Sequence, residues 1–144
     1  MRYKPYKYKS PLEMKIELST NIKGLGLSES VSSAWIDLAF EAVDSKEWDY
    51  KEEYNGCTIV QDYLHPSPAC WIHDYTWITG MGGKDADRLF LKLMLLEGMP
   101  KFKALRRFSL VRIGWFTYFN FKYKLQKNKR GNTSKMNDLI TELK

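Results

Sequence analysis

The chain has 144 residues, of which 44% are hydrophobic and 15% aromatic, and its formal net charge is +6. This composition excludes an intrinsically disordered protein, because disordered chains are poor in aromatic residues, and the length suits a single domain with tails. Two cysteines are too few for a disulfide scaffold. We expect both to be free thiols and small buried groups, with a single bridge as the alternative.

The amino-terminal sequence MRYKPYKYKSP is basic and rich in tyrosine. Pro5 and Pro11 disfavour a helix there, and the LEMKIELSTNI that follows alternates enough to be a short strand. The sequence therefore predicts an extended basic arm over residues 1–24. Its cations are expected to pair with the acidic stretch from Glu29 to Glu53 or to contact a partner. A protein assembly, an anionic lipid surface and nucleic acid are the candidate partners.

Helices are predicted for most of the remaining chain. Ser28 or Ser30 can cap a helix through VSSAWIDLAFEAV, and Ser67 with Pro68 begins the next one, which the glycines from Gly80 end. A third helix runs from about Lys84 to Glu97, and the short connection to the second predicts an antiparallel pair.

A fourth helix begins near Lys101 or Ala104, and its apolar stripe is predicted to be core: Leu105, Phe108, Val111, Trp115 and Phe119. KNKRGNTSK then precedes a short terminal helix, MNDLITEL. The predicted fold class is mainly α: a helical domain at 25–128 containing an antiparallel helical hairpin, a short β or extended segment, and basic terminal arms. Residues 129–144 form the basic linker and the last helix.

Neither a signal peptide nor a transmembrane segment is predicted. The first residues are charged and lack an apolar core region. The most apolar run, FSLVRIGWFTYFNF, contains Arg112 and is shorter than the roughly 20 residues that a spanning helix needs.

The most specific feature of the chain is a histidine and two aspartates. In CWIHDYTW, helical spacing puts Cys70, His73, Asp74 and Trp77 along one stripe. Asp87 begins the apolar stripe of the next helix, where an unpaired carboxylate would be costly. We therefore predict that His73 and Asp87 meet across two packed helices. The pair is either a metal-binding or proton-transferring site, or a polar network that only fixes how the helices pack.

These residues carry a resemblance to known families. CWIHDYTW resembles the CxxHDxxY helix of the secreted phospholipase A2 superfamily, and ADRLF resembles the ADxxF that completes the site in its viral and microbial relatives. The span from Gly56 to Trp115 is also similar to an uncharacterised bacteriophage family that has the same two helices and then an Arg-rich one. Trp77 stands where the motif has Tyr, so an indole that only donates replaces a phenol.

The resemblance implies a site and a cofactor. His73 would be the general base and Asp87 would orient its ring. Calcium would be bound by Asp74 with Gly56 and Thr58, and Cys57 and Cys70 resemble the family's loop-to-helix disulfide partners. The implied function is a phage-encoded, calcium-dependent lipid ester hydrolase in the host cytoplasm or the virion. The alternative is a non-catalytic virion component that contacts other assembly proteins through its terminal arms.

Overall fold

The computed structural model describes residues 4–54, 66–79, 84–114 and 134–143. Within these ranges the protein is mainly helical, which confirms the predicted mainly α class, and no strand lies among the described residues. The helices are α1 (Pro11–Lys23), α2 (Glu29–Asp44), α3 (Tyr50–Glu53), α4 (Pro68–Ile78), α5 (Lys84–Leu96), α6 (Lys101–Gly114) and α7 (Ser134–Glu142). None of them is long and apolar enough to cross a bilayer.

The prediction of an extended arm over residues 1–24 is wrong for α1. Ser10 and Glu13 form a capping box, and Pro11 occupies the first turn, where a proline loses no hydrogen bond and its fixed φ favours the helix. Met14, Leu18 and Ile22, spaced by four residues, are fully buried. LEMKIELSTNI is therefore a core helix, which packs on α2.

The basic residues at the amino end pair with acids of the same chain. Lys4 bonds Glu52, and Lys15 lies 2.7 Å from Asp44. Tyr6 is buried and stacks on Tyr54. The expectation of internal charge pairing is confirmed for these lysines, and Lys4 and Tyr6 fix the described residues before α1 to the domain.

An aromatic cluster around Trp71 joins α4 to this half of the domain. The Trp71 ring lies 4.8 Å from that of Trp48 and 4.9 Å from that of Tyr54, measured between centroids. Its indole N–H donates to the Ala39 carbonyl of α2. Buried Trp and Tyr rings contribute large contact areas, and they fix the orientation of α4 about its own axis.

α4 packs on α5, and α5 packs on α6. Ser67 and Ala69 at the start of α4 contact Glu97 just after α5, whereas His73 and Trp77 further along α4 contact Asp87 near the start of α5. The two helices therefore run in opposite directions. The predicted hairpin connection, residues 80–83, lies outside the described residues.

The predicted core stripe of α6 is only partly correct. Phe108 and Val111 are half-buried, but Leu105 is exposed. Ala104, which is not part of that stripe, is fully buried. Trp115 and Phe119 lie outside the described residues.

Candidate functional site

The site is centred on the carboxylate of Asp87, which has no solvent exposure. Its Oδ1 lies 2.7 Å from His73 Nε2 and accepts a bond of 2.9 Å from the Trp77 indole N–H. Its Oδ2 accepts a bond of 2.8 Å from Arg112 Nη1. Three donors from two neighbouring helices, α4 and α6, thus converge on one side chain of α5.

Helical spacing explains how α4 supplies two of these donors. His73 and Trp77 are four residues apart and therefore lie one above the other on the same face. Their ring centroids are 4.4 Å apart, and the Phe90 ring of α5 stacks on the imidazole with its centroid at 4.3 Å. The imidazole therefore contacts two aromatic rings, and 6% of His73 remains exposed.

The bond to Asp87 fixes the tautomer of His73. A carboxylate oxygen only accepts, so Nε2 must carry the proton and Nδ1 is left bare. Nδ1 has no hydrogen-bond partner among the residues that the structure describes. Burial lowers the pKa of His73, against the opposing effect of its bond and charge interaction with Asp87. The ring is therefore neutral at pH 7, the form that a general base requires.

Arg112 is a member of this site that the sequence analysis did not predict. It lies 25 residues after Asp87, and its guanidinium is about four-fifths buried against the carboxylate. A buried carboxylate needs a compensating charge, and Arg112 supplies it. The sequence offered one indirect signal: Arg112 interrupts an otherwise apolar run.

A second buried carboxylate lies at the other end of the two helices. Glu97 accepts bonds from the Ser67 hydroxyl at 2.8 Å and from the Ala69 N–H at 2.9 Å. Ser67 is the N-cap of α4, as predicted, and its oxygen also accepts from the Cys70 N–H. Glu97 thus satisfies donors at the positive end of α4. Gly98 follows it with φ of 91°, a conformation that favours glycine and turns the chain after α5.

Cys70 lies one turn before His73, is buried and is disulfide-bonded. The expectation of free cysteines is therefore wrong for Cys70, and the alternative of a single bridge holds. The sequence has one other cysteine, Cys57, which lies outside the described residues.

The predicted calcium site has one of its three residues among those that the structure describes. Asp74 is half-buried in α4, whereas Gly56 and Thr58 lie outside the described residues. Within the described ranges no three His, Cys, Asp or Glu side chains come together as a metal-binding group. Calcium takes six to eight oxygen ligands, of which the Asp74 carboxylate could supply at most two.

Comparisons with known proteins return no match. No family model, no curated protein and no solved structure matches this chain.

Proposed function

We propose that this protein is a phospholipase A2-like lipid ester hydrolase in which His73 is the general base and Asp87 its orienting partner. The observation that carries the proposal is the arrangement of the imidazole: Nε2 is bonded to a buried carboxylate, and Nδ1 is bare. The resemblance of CWIHDYTW and ADRLF to that superfamily, and to phage proteins with the same helices, supplies the substrate class and the phage origin.

The chemistry follows from the tautomer. Nδ1 takes a proton from water as the oxygen attacks the ester carbonyl, and the imidazolium that forms is stabilised by Asp87 through Nε2–H. The proton then passes from Nδ1 to the leaving alkoxide. Arg112 and Trp77 hold the carboxylate so that its Oδ1 stays directed at the ring. Calcium at Asp74 remains part of the proposal for stabilising the oxyanion, but no step above depends on it.

The test is release of fatty acid from phospholipid vesicles by the full chain, with calcium and with a chelator. His73→Gln should abolish release while the circular dichroism spectrum is unchanged. His65→Gln, at the only other histidine, is the matched control and should retain activity. A wild-type protein inactive on both anionic and zwitterionic vesicles, with either additive, would overturn the proposal.

A second candidate, a non-catalytic virion protein, is favoured by one specific observation. Arg112 already neutralises Asp87, so the network is electrically complete without a proton on His73, as expected of a polar cluster that only fixes helix packing. The test is incorporation: a tagged copy expressed during phage growth should co-sediment with purified virions. Its absence from virions would overturn this candidate.

A further inference from the structure

α6 presents two faces of different character. Its inner face supplies buried Ala104 and directs Arg112 to Asp87. Its outer face carries Phe102, Leu105, Ser109 and Ile113, spaced three, four and four residues apart, so they form one stripe along the helix. Phe102 is 80% exposed and Ile113 is 60% exposed. Large apolar side chains grouped on a surface are typical of a binding site.

The same face is strongly basic. Lys101, Lys103 and Arg106 are exposed beside the apolar stripe, and α6 contains no acidic residue. Helices with an apolar stripe bordered by Lys and Arg are typical of proteins that lie on anionic membranes. A partner of this surface must therefore suit both the cations and the apolar side chains.

We propose that the outer face of α6 binds an anionic lipid surface, with the helix lying along the interface. A phospholipid surface accommodates both features, because Phe102, Leu105 and Ile113 can enter the acyl boundary while the cations contact phosphate groups. A second copy of this chain would bring like charges together. Nucleic acid would contact the cations and leave Leu105 and Ile113 in water.

The proposal goes beyond ester hydrolysis and does not require it. Because Arg112 on the same helix contacts Asp87, binding through this face would hold the candidate site at a fixed position relative to the membrane. Binding and turnover can therefore be measured separately, with lipids that no esterase cleaves.

α1 provides a matched control surface. Leu12 and Ile16 are 68% and 56% exposed, which is comparable to the exposure of Phe102 and Ile113. They lie beside the acidic Glu13 and Glu17, and Glu17 pairs with Lys9. This surface should not attract anionic lipid, although it is equally apolar.

The experiment is flotation of the full chain with vesicles of ether-linked phosphatidylglycerol and phosphatidylcholine. Lys103→Gln with Arg106→Gln should lower the partition coefficient about 25-fold, at about fivefold per cation. Phe102→Ser with Ile113→Ser should lower it roughly tenfold or more. Leu12→Ser with Ile16→Ser should leave it within about twofold, since that surface is not proposed to insert. Circular dichroism checks that each variant is folded.

The outcomes separate this proposal from the proposed function. Failure of the wild type to float would overturn the proposal, as would equal losses in the α6 and α1 serine variants. Loss in the glutamine variant alone would also overturn it, because adsorption would then be electrostatic without insertion. His73→Gln should float like the wild type. Flotation without hydrolysis of ester lipids would overturn only the hydrolase, and hydrolysis by a wild type that does not float would overturn only the lipid-binding face.

Discussion

Asp87→Asn is the substitution that tests the central contact most directly. The amide has the size of the carboxylate but one of its two acceptors becomes a donor. If its oxygen keeps the bonds from His73 and Trp77, its NH2 group faces the Arg112 guanidinium, donor against donor. Breaking a buried ion pair in this way costs about 3–5 kcal/mol. Because Arg112 is 19% exposed and can turn partly to water, we expect the lower end, about 3 kcal/mol.

The assay is urea denaturation with the disulfide intact, followed by tryptophan fluorescence. With a slope of about 1–3 kcal/mol per M, this loss lowers the midpoint by about 1 M or more. Asp85→Asn is the control, since Asp85 is exposed in the first turn of the same helix, and a surface change should stay within about 0.5 kcal/mol. If the two variants lose the same stability, the buried network around Asp87 does not hold α4, α5 and α6 together.

Two further predictions concern stability. Burial lowers the pKa of His73 below its usual 6.5, so the unfolded chain binds a proton at this histidine before the folded protein does as pH falls. The free energy of unfolding should therefore be highest above pH 6.5. Below pH 6.5 it should decline by at most about 1.4 kcal/mol per pH unit. Urea midpoints measured from pH 7.5 to 5 should show this decline in the wild type, and His73→Gln should reduce it. The same decline in the variant would contradict His73 as the titrating group. Glu97→Gln should cost about 1–3 kcal/mol, because one acceptor for the α4 donors becomes a donor. Glu142→Gln, at an exposed position of α7, should be near neutral in the same assay; equal values would contradict the capping role.

The sequence predicted those parts of the fold that depend on local signals. Serine caps and the proline after Ser67 correctly place the starts of α2 and α4. α1 was mistaken because Pro11 was counted against a helix, although the first turn is where proline is tolerated. The spacing predicts Leu105 to be core, but periodicity indicates only that a stripe is apolar; here Phe108 and Val111 of that stripe are half-buried while Leu105 is exposed.

The sequence likewise predicts some residues of the candidate site and not others. His73 and Asp87 could be paired in advance because each lies on the apolar stripe of its own helix, and neighbouring helices joined by a short connection bring such stripes together. The pairing of Arg112 with Asp87 could not be predicted from the sequence, because Asp87 lies 25 residues earlier and no local spacing links the two residues. Long-range polar pairing depends on how α6 is oriented about its axis, and that orientation follows from packing that the sequence pattern alone does not fix.

The charge balance of the three side chains explains why one arrangement supports both candidate functions. Without substrate, the negative charge of Asp87 and the positive charge of Arg112 cancel, and a neutral His73 adds no charge to this buried environment. Taking a proton onto Nδ1 would give the cluster a net positive charge, which low-dielectric surroundings disfavour unless a negative charge forms nearby. In the proposed hydrolase, a tetrahedral oxyanion would supply that charge only while an ester reacts. The proposed reaction would therefore protonate His73 only as substrate is attacked, and without substrate the cluster is a satisfied structural network.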